Sequence, residues 1–159
     1  MTAGLELLAT HGDQEIWLAQ FQNLDAWNGW PKRVFRLLAI ADGPLDDASA
    51  GRLFEGAIKA GCCYILSAGR VGAALETAAD QTIIRLGLGD AKPHILTTGH
   101  AEDGLDEVLW EALYCSSCRD WSEFLPPIVI VAVGPERQAE VRALAKDLQS
   151  ALRRVEEKD

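Results

Sequence analysis

Val34-Phe35-Arg36-Leu37-Leu38-Ala39-Ile40-Ala41 is an apolar run that Gly43 closes, and it decides how the rest of the chain reads. Three further runs repeat it: Cys62-Cys63-Tyr64-Ile65-Leu66, His94-Ile95-Leu96-Thr97 and Ile128-Val129-Ile130-Val131-Ala132-Val133. Each stops at a glycine (Gly69, Gly99 and Gly134), and each hands over to a helix-like segment. Strand signals alternating with helix signals predict a mostly parallel sheet with helices on both faces. Ligands of such sheets bind in the crevice beyond the carboxyl ends of the strands. The pattern therefore places a site without naming a reaction.

Working outward, the expected core strands are 33–41, 62–67, 94–98 and 127–133, with the first central. Asp46 caps a helix that carries Leu53, Phe54, Ala57 and Ile58 and stops at Gly61. A second helix, over 70–79, carries Val71, Ala74, Leu75 and Ala78, and Ile83 to Leu86 reads as a short edge strand. Leu105, Val108, Leu109, Ala112 and Leu113 recur at helical spacing, with Asp103, Asp106 and Glu107 favouring the N-terminal end. Residues 1–30 read as an N-terminal helical segment, with a short amphipathic helix over 13–22 built on Ile16, Trp17 and Phe21 and ended by the turn Trp27-Asn28-Gly29-Trp30-Pro31. The last helix spans 136–159, with a stripe of Val141, Leu144, Leu148, Leu152 and Val155. The fold class is one α/β domain over 1–159, of three layers and four or five mostly parallel strands, of the flavodoxin or Rossmann kind.

With 159 residues the chain buries enough surface to fold without a disulfide or a metal. The formal net charge of -9 repels phosphate backbones and anionic bilayers. Nucleic acid and membranes are thereby excluded as partners, and a basic protein is favoured. Met1 to Glu6 lacks a basic region followed by an apolar run, and no apolar stretch approaches the roughly 20 residues of a membrane span. The expected location is the cytoplasm, and the four cysteines are expected there as thiols.

Two motifs tempt a chemical reading. His100-Ala101-Glu102 followed by Cys115-Ser116-Ser117-Cys118 resembles the zinc deaminase signature. One helix separates the halves, however, and would hold them about 20 Å apart, so no metal is expected. The Cys115/Cys118 pair sits at a helix C-terminus, where the dipole raises a thiol pKa, so structural thiols are expected rather than a redox couple. Neither a Walker loop nor GxGxxG follows a strand, and no cofactor is expected.

Polar residues do gather at the strand ends. Asp42, Arg70, Thr98, His100 and Glu102 form the candidate crevice, with Arg70 and Thr98 as ligand contacts. A His100–Glu102 pair there suits acid–base work near neutral pH, although a histidine in that place also serves to cap the next helix. His11 and His94 have no evident partner.

Ile95-Leu96-Thr97-Thr98-Gly99-His100 resembles the fourth strand of a response-regulator receiver, and Asp42 its metal-binding acid. The chain departs from that family at Ser67-Ala68-Gly69, where the phosphoacceptor aspartate belongs, and at Gly134-Pro135, where the lysine belongs. The Cys63-Tyr64 strand, Leu96-Thr97-Thr98 to His100, Leu105-Asp106-Glu107-Val108-Leu109-Trp110 and the stretch from Cys118 to Trp121 resemble a family of small, uncharacterised bacterial α/β domains. That resemblance implies a fold and no activity.

The leading expectation is a non-catalytic, acidic interaction or regulatory module, acting through Trp27 and Trp30, the crevice, and Leu148, Leu152 and Val155. The alternatives are a small enzyme or ligand-binding domain centred on His100, and a structural subunit that dimerises through its last helix.

Overall fold

The computed structural model describes residues 4–118, 120–122 and 124–158. One sheet of six strands runs through it: β1 (Leu5–His11), β2 (Gln14–Ala19), β3 (Phe35–Ile40), β4 (Cys62–Ala68), β5 (Leu96–His100) and β6 (Ile128–Ala132). Their order across the sheet is β1-β2-β6-β3-β4-β5. β1 is antiparallel to β2, and every other neighbouring pair is parallel. β3 lies between β6 and β4, inside the sheet as its nearly continuous apolar run predicts.

The helices are α1 (Asp47–Ala60), α2 (Gly72–Arg85), α3 (Leu105–Tyr114), α4 (Pro135–Lys146) and α5 (Leu148–Glu157). Side chains alternate along the strands and divide the core in two. Phe35, Leu37, Ala39, Val129 and Val131 pack with Leu53, Phe54 and Ala57 of α1 and with Leu75 and Ala79 of α2. Leu38, Ile40, Leu66, Ile128 and Ile130 pack with α3, α4 and α5. The result is three layers.

Local chemistry fixes the first helix as expected. Asp46 accepts a hydrogen bond from the Ser49 N–H at 2.7 Å, and Gly61 ends α1 at φ 117°, a left-handed conformation that glycine adopts without strain. At Gly69 the demand is stricter. Its φ is 87°, and a Cβ there would stand 2.2 Å from the Ala41 carbonyl oxygen.

The N-terminal helix expected over 13–22 is a β-hairpin. Ile16 and Leu18 face one layer while Trp17 and Ala19 face the other, which is the period of a strand. Gly12-Asp13 is the two-residue loop that joins the paired His11 and Gln14, with Gly12 at φ 59°. The edge strand expected at Ile83 to Leu86 is instead the end of α2, which runs on to Arg85. The sheet edge on that side is β5, which reaches two residues further than expected and includes His100. The single C-terminal helix breaks at Asp147 into α4 and α5.

The cysteines also depart from expectation. Cys63 of β4 and Cys118, beyond α3, form a disulfide across 55 residues of chain with Cα atoms 6.1 Å apart. Cys62 and Cys115 are thiols, the first buried and the second exposed. The sequence could not pair them, because Cys63 and Cys118 meet only once α3 has returned to the sheet.

Candidate functional site

The crossovers β3-α1-β4-α2-β5 proceed in one direction across the sheet, and β6 then joins on the other side of β3. The reversal falls between β3 and β6, so their carboxyl ends are where ligands of this fold class bind. That place is occupied by an ion pair. Arg137, in the first turn of α4, donates from Nε to Asp42 Oδ2 at 2.7 Å and from Nη2 to Asp42 Oδ1 at 2.8 Å. Its third nitrogen, Nη1, reaches Glu140 at 2.7 Å, and the Arg70 N–H donates to Asp42 Oδ1 at 3.0 Å. The Arg137 guanidinium holds the Asp42 carboxyl down to about 2, with the Arg70 backbone assisting. Asp42 is therefore an anion with both oxygens engaged, and this candidate crevice residue is the partner of Arg137. Arg137 was not legible beforehand, since nothing in Pro135-Glu136-Arg137 says which way the side chain turns.

At the far edge, three sequence-predicted residues lie in the strand and turn leading to α3. Thr98 Oγ1 and His100 Nε2 are 2.9 Å apart, and His100 Nδ1 is 3.0 Å from Asp103 Oδ2. The His100 side chain is 11% exposed. Its carboxylate is Asp103 and not Glu102, which is exposed in the turn. Thr98 also stands by the Tyr64 phenol, whose pKa is raised by burial. The Arg70 side chain is exposed and belongs to the loop after β4. His100 and Asp42 thus lie in separate hydrogen-bonded groups, not in one crevice.

The opposite end of the sheet holds an arrangement the sequence reading missed. Arg36 is fully buried at the start of β3. Its Nε donates to the Pro126 carbonyl at 3.1 Å, and Nη2 donates to the same carbonyl at 2.6 Å and to Gln14 Oε1 at 2.8 Å. Nη1 donates to the Ala112 carbonyl at 2.7 Å and to Ser116 Oγ at 3.1 Å. The acceptors are neutral. The charge is met by the carbonyl end of α3, whose dipole favours a cation. Burial lowers the Arg36 pKa only to about 10, so it stays protonated at neutral pH. One guanidinium thereby ties β2, the end of α3 and the loop before β6 to β3. A lone charge inside an apolar run was the available signal, because a buried arginine requires partners.

Beside this hub lies a groove of about 450 Å³ lined by Gln14, Leu113, Tyr114, Ser116, Phe124 and Leu125, among others. Phe124 is 79% exposed, Tyr114 51% and Leu125 50%. Among the described residues, none of those that line it is charged. The wall from Ser116 to Cys118 is stapled to β4 by the disulfide, and the Trp121 indole donates to the His94 carbonyl at 3.0 Å.

The residues expected to meet a partner lie elsewhere. Trp30 stacks on Phe35 with centroids 5.4 Å apart and meets Trp27 edge to face at 4.5 Å. Both are half-buried against the α1 layer. Leu148, Leu152 and Val155 are buried in the chain's own core on the α3 side, and Lys158 reaches across to Glu107 at 3.3 Å. The stripe read as a dimer face is therefore covered within the chain. Among the described residues no group of three or more His, Cys, Asp or Glu side chains is placed to hold a metal, and no helix is long and apolar enough to cross a membrane. His100 and Cys115 stand at opposite ends of α3, which separates the two halves of the deaminase-like motif.

Fold and geometry together define a doubly wound α/β domain with a mostly parallel sheet and one antiparallel edge strand. The sequence matches the family described as a domain of unknown function, DUF7684, over residues 15–153, and the chain belongs to that family. No curated protein and no solved structure matches it.

Proposed function

We propose that the protein is a non-catalytic interaction module whose contact surface is the groove at the amino ends of β2, β3 and β6. The observation that carries this reading is the rim: Tyr114, Phe124 and Leu125 are large apolar side chains at least half exposed, beside a floor held rigid by Arg36. Aromatic anchors in a preorganised setting dominate protein interfaces. The occupant is a protein segment that presents an apolar side chain and carries net positive charge. The exposed apolar rim favours the first property, and the -9 charge of the chain favours the second. Nucleic acid and anionic bilayers are disfavoured by the same field. The reading keeps the module in the cytoplasm, where a disulfide is usually a reversible element.

The test is photo-crosslinking in the native cell from position 124, with position 84 as the control. Ile84 is 70% exposed but belongs to α2, in the opposite layer. One dominant adduct from 124, absent from 84 and lost with Leu125→Asp, is the expected result. Equal adduct patterns from the two positions would contradict the reading.

A second reading rests on the line from Asp103 through His100 to Thr98, a carboxylate–imidazole–hydroxyl arrangement suited to acid–base work. It ranks below the first because both imidazole nitrogens are engaged within the same strand and turn, as expected of a histidine that fixes a strand end.

A further inference from the structure

A disulfide ties the segment after α3 to β4, and a free thiol opens that segment. Cys63 lies in the strand with 1% of its surface exposed, and Cys118, bonded to it, has 5%. Cys115 is three residues from Cys118, at the end of α3, and is an exposed thiol. The fourth cysteine, Cys62, is no competitor. It is fully buried, donates to the Tyr64 carbonyl at 3.3 Å, and is pushed up to about 12 by burial. The disulfide is thus shielded from solvent, while an exposed thiol stands at Cys-x-x-Cys spacing from one of its cysteines.

From this placement we infer that Cys115 is the entry point of a thiol–disulfide exchange site whose external substrate is a dithiol reductant. In the first step the Cys115 thiolate attacks Cys118 Sγ. A Cys115–Cys118 bond forms, the Cys63–Cys118 bond breaks, and its electron pair leaves on Cys63, which takes up a proton from solvent in place of the one Cys115 released. Nothing is oxidised or reduced overall. In the second step an external dithiol attacks the exposed Cys115 sulfur and becomes an intramolecular disulfide itself. Its two electrons leave Cys115 and Cys118 as thiols. The buried bond is reached through an exposed one, and the loop after α3 loses its staple to β4. Burial and the neighbouring Glu111 raise the Cys115 thiol, so the exchange speeds up with rising pH as the thiolate appears. The exchange stands or falls independently of what the groove binds.

The experiment is tryptic mapping without reductant. Cleavage at Arg70 and Arg85 puts Cys62 and Cys63 on one peptide and Cys115 and Cys118 on another. After incubation at alkaline pH, acid quenching and thiol labelling, the Cys63–Cys118 form gives linked peptides. The Cys115–Cys118 form gives a free first peptide carrying two labels. Wild type should show the free form increasing with pH, and Cys115→Ser should not show it. Reduction of the folded protein by dithiothreitol should be at least about tenfold slower in Cys115→Ser, and equally slow in wild type whose Cys115 is first blocked with iodoacetamide. Reduction at the same rate in all three, or a purified protein with four free thiols, would overturn the inference.

Discussion

Arg36 shows how much one residue can organise. Its guanidinium spans acceptors on three separate segments, and a planar fork does this where a point charge does not. Arg36→Lys keeps the charge, yet it cannot reach Pro126, Ala112 and Gln14 together. Urea unfolding should show a loss of about 2–4 kcal/mol. Arg33→Lys, on the surface, should stay within about 0.5 kcal/mol of wild type. Equal stability of Arg36→Lys and wild type would mean that the charge alone suffices. Asp42 makes a different prediction, in acid. Its folded pKa of about 2 lies below the usual 3.8, so the unfolded chain binds the proton more tightly. The stabilisation is complete above about pH 4 and disappears as pH falls towards 2. Arg137→Gln should flatten that part of the stability–pH curve, and an unchanged acid limb would show that the ion pair contributes nothing.

At the scale of elements, the strands that could be read were those with continuous apolar runs. β3, β4 and β6 are buried on both faces, and no helix pattern competes with them. The hairpin of β1 and β2 was missed because Trp17 and Phe21 mimic helical spacing, while the Gly12-Asp13 turn and the Ile16/Leu18 alternation went unread. α2 extends beyond its expected end because Thr82 and Ile83 are buried against the structure and continue its helical face. The break between α4 and α5 has no proline or glycine to announce it. The disulfide closes 55 residues of chain, and chain-entropy reasoning gives it a worth of about 4 kcal/mol. Cys63→Ser should lose that amount in chemical denaturation. It should also expose the segment from Ser116 to Leu125 to limited proteolysis before the strands are cut. If the first cuts fall in α1 or α2 instead, the staple does not hold that wall.

For the molecule as a whole, the order of elements pointed to the carboxyl ends of the strands, where the structure places an Asp42–Arg137 ion pair and, apart from it, the His100 group. Topology is readable from the order of elements, but Asp42 and Arg137 meet through side chains separated by most of the chain. The groove was illegible for the same reason. It joins Gln14, the end of α3 and the loop before β6, and only the exposed Phe124-Leu125 in a loop hinted at it. The two surfaces make opposite claims about function. Once a partner has been captured at position 124, its affinity for folded variants decides between them. Phe124→Ser combined with Leu125→Ser should weaken binding at least about 30-fold, the loss of a hot spot worth about 2 kcal/mol, while His100→Ala stays within about twofold. Unchanged affinity in the double variant together with loss in His100→Ala, folding being intact in both, would move the site to the edge of β5 and contradict the account.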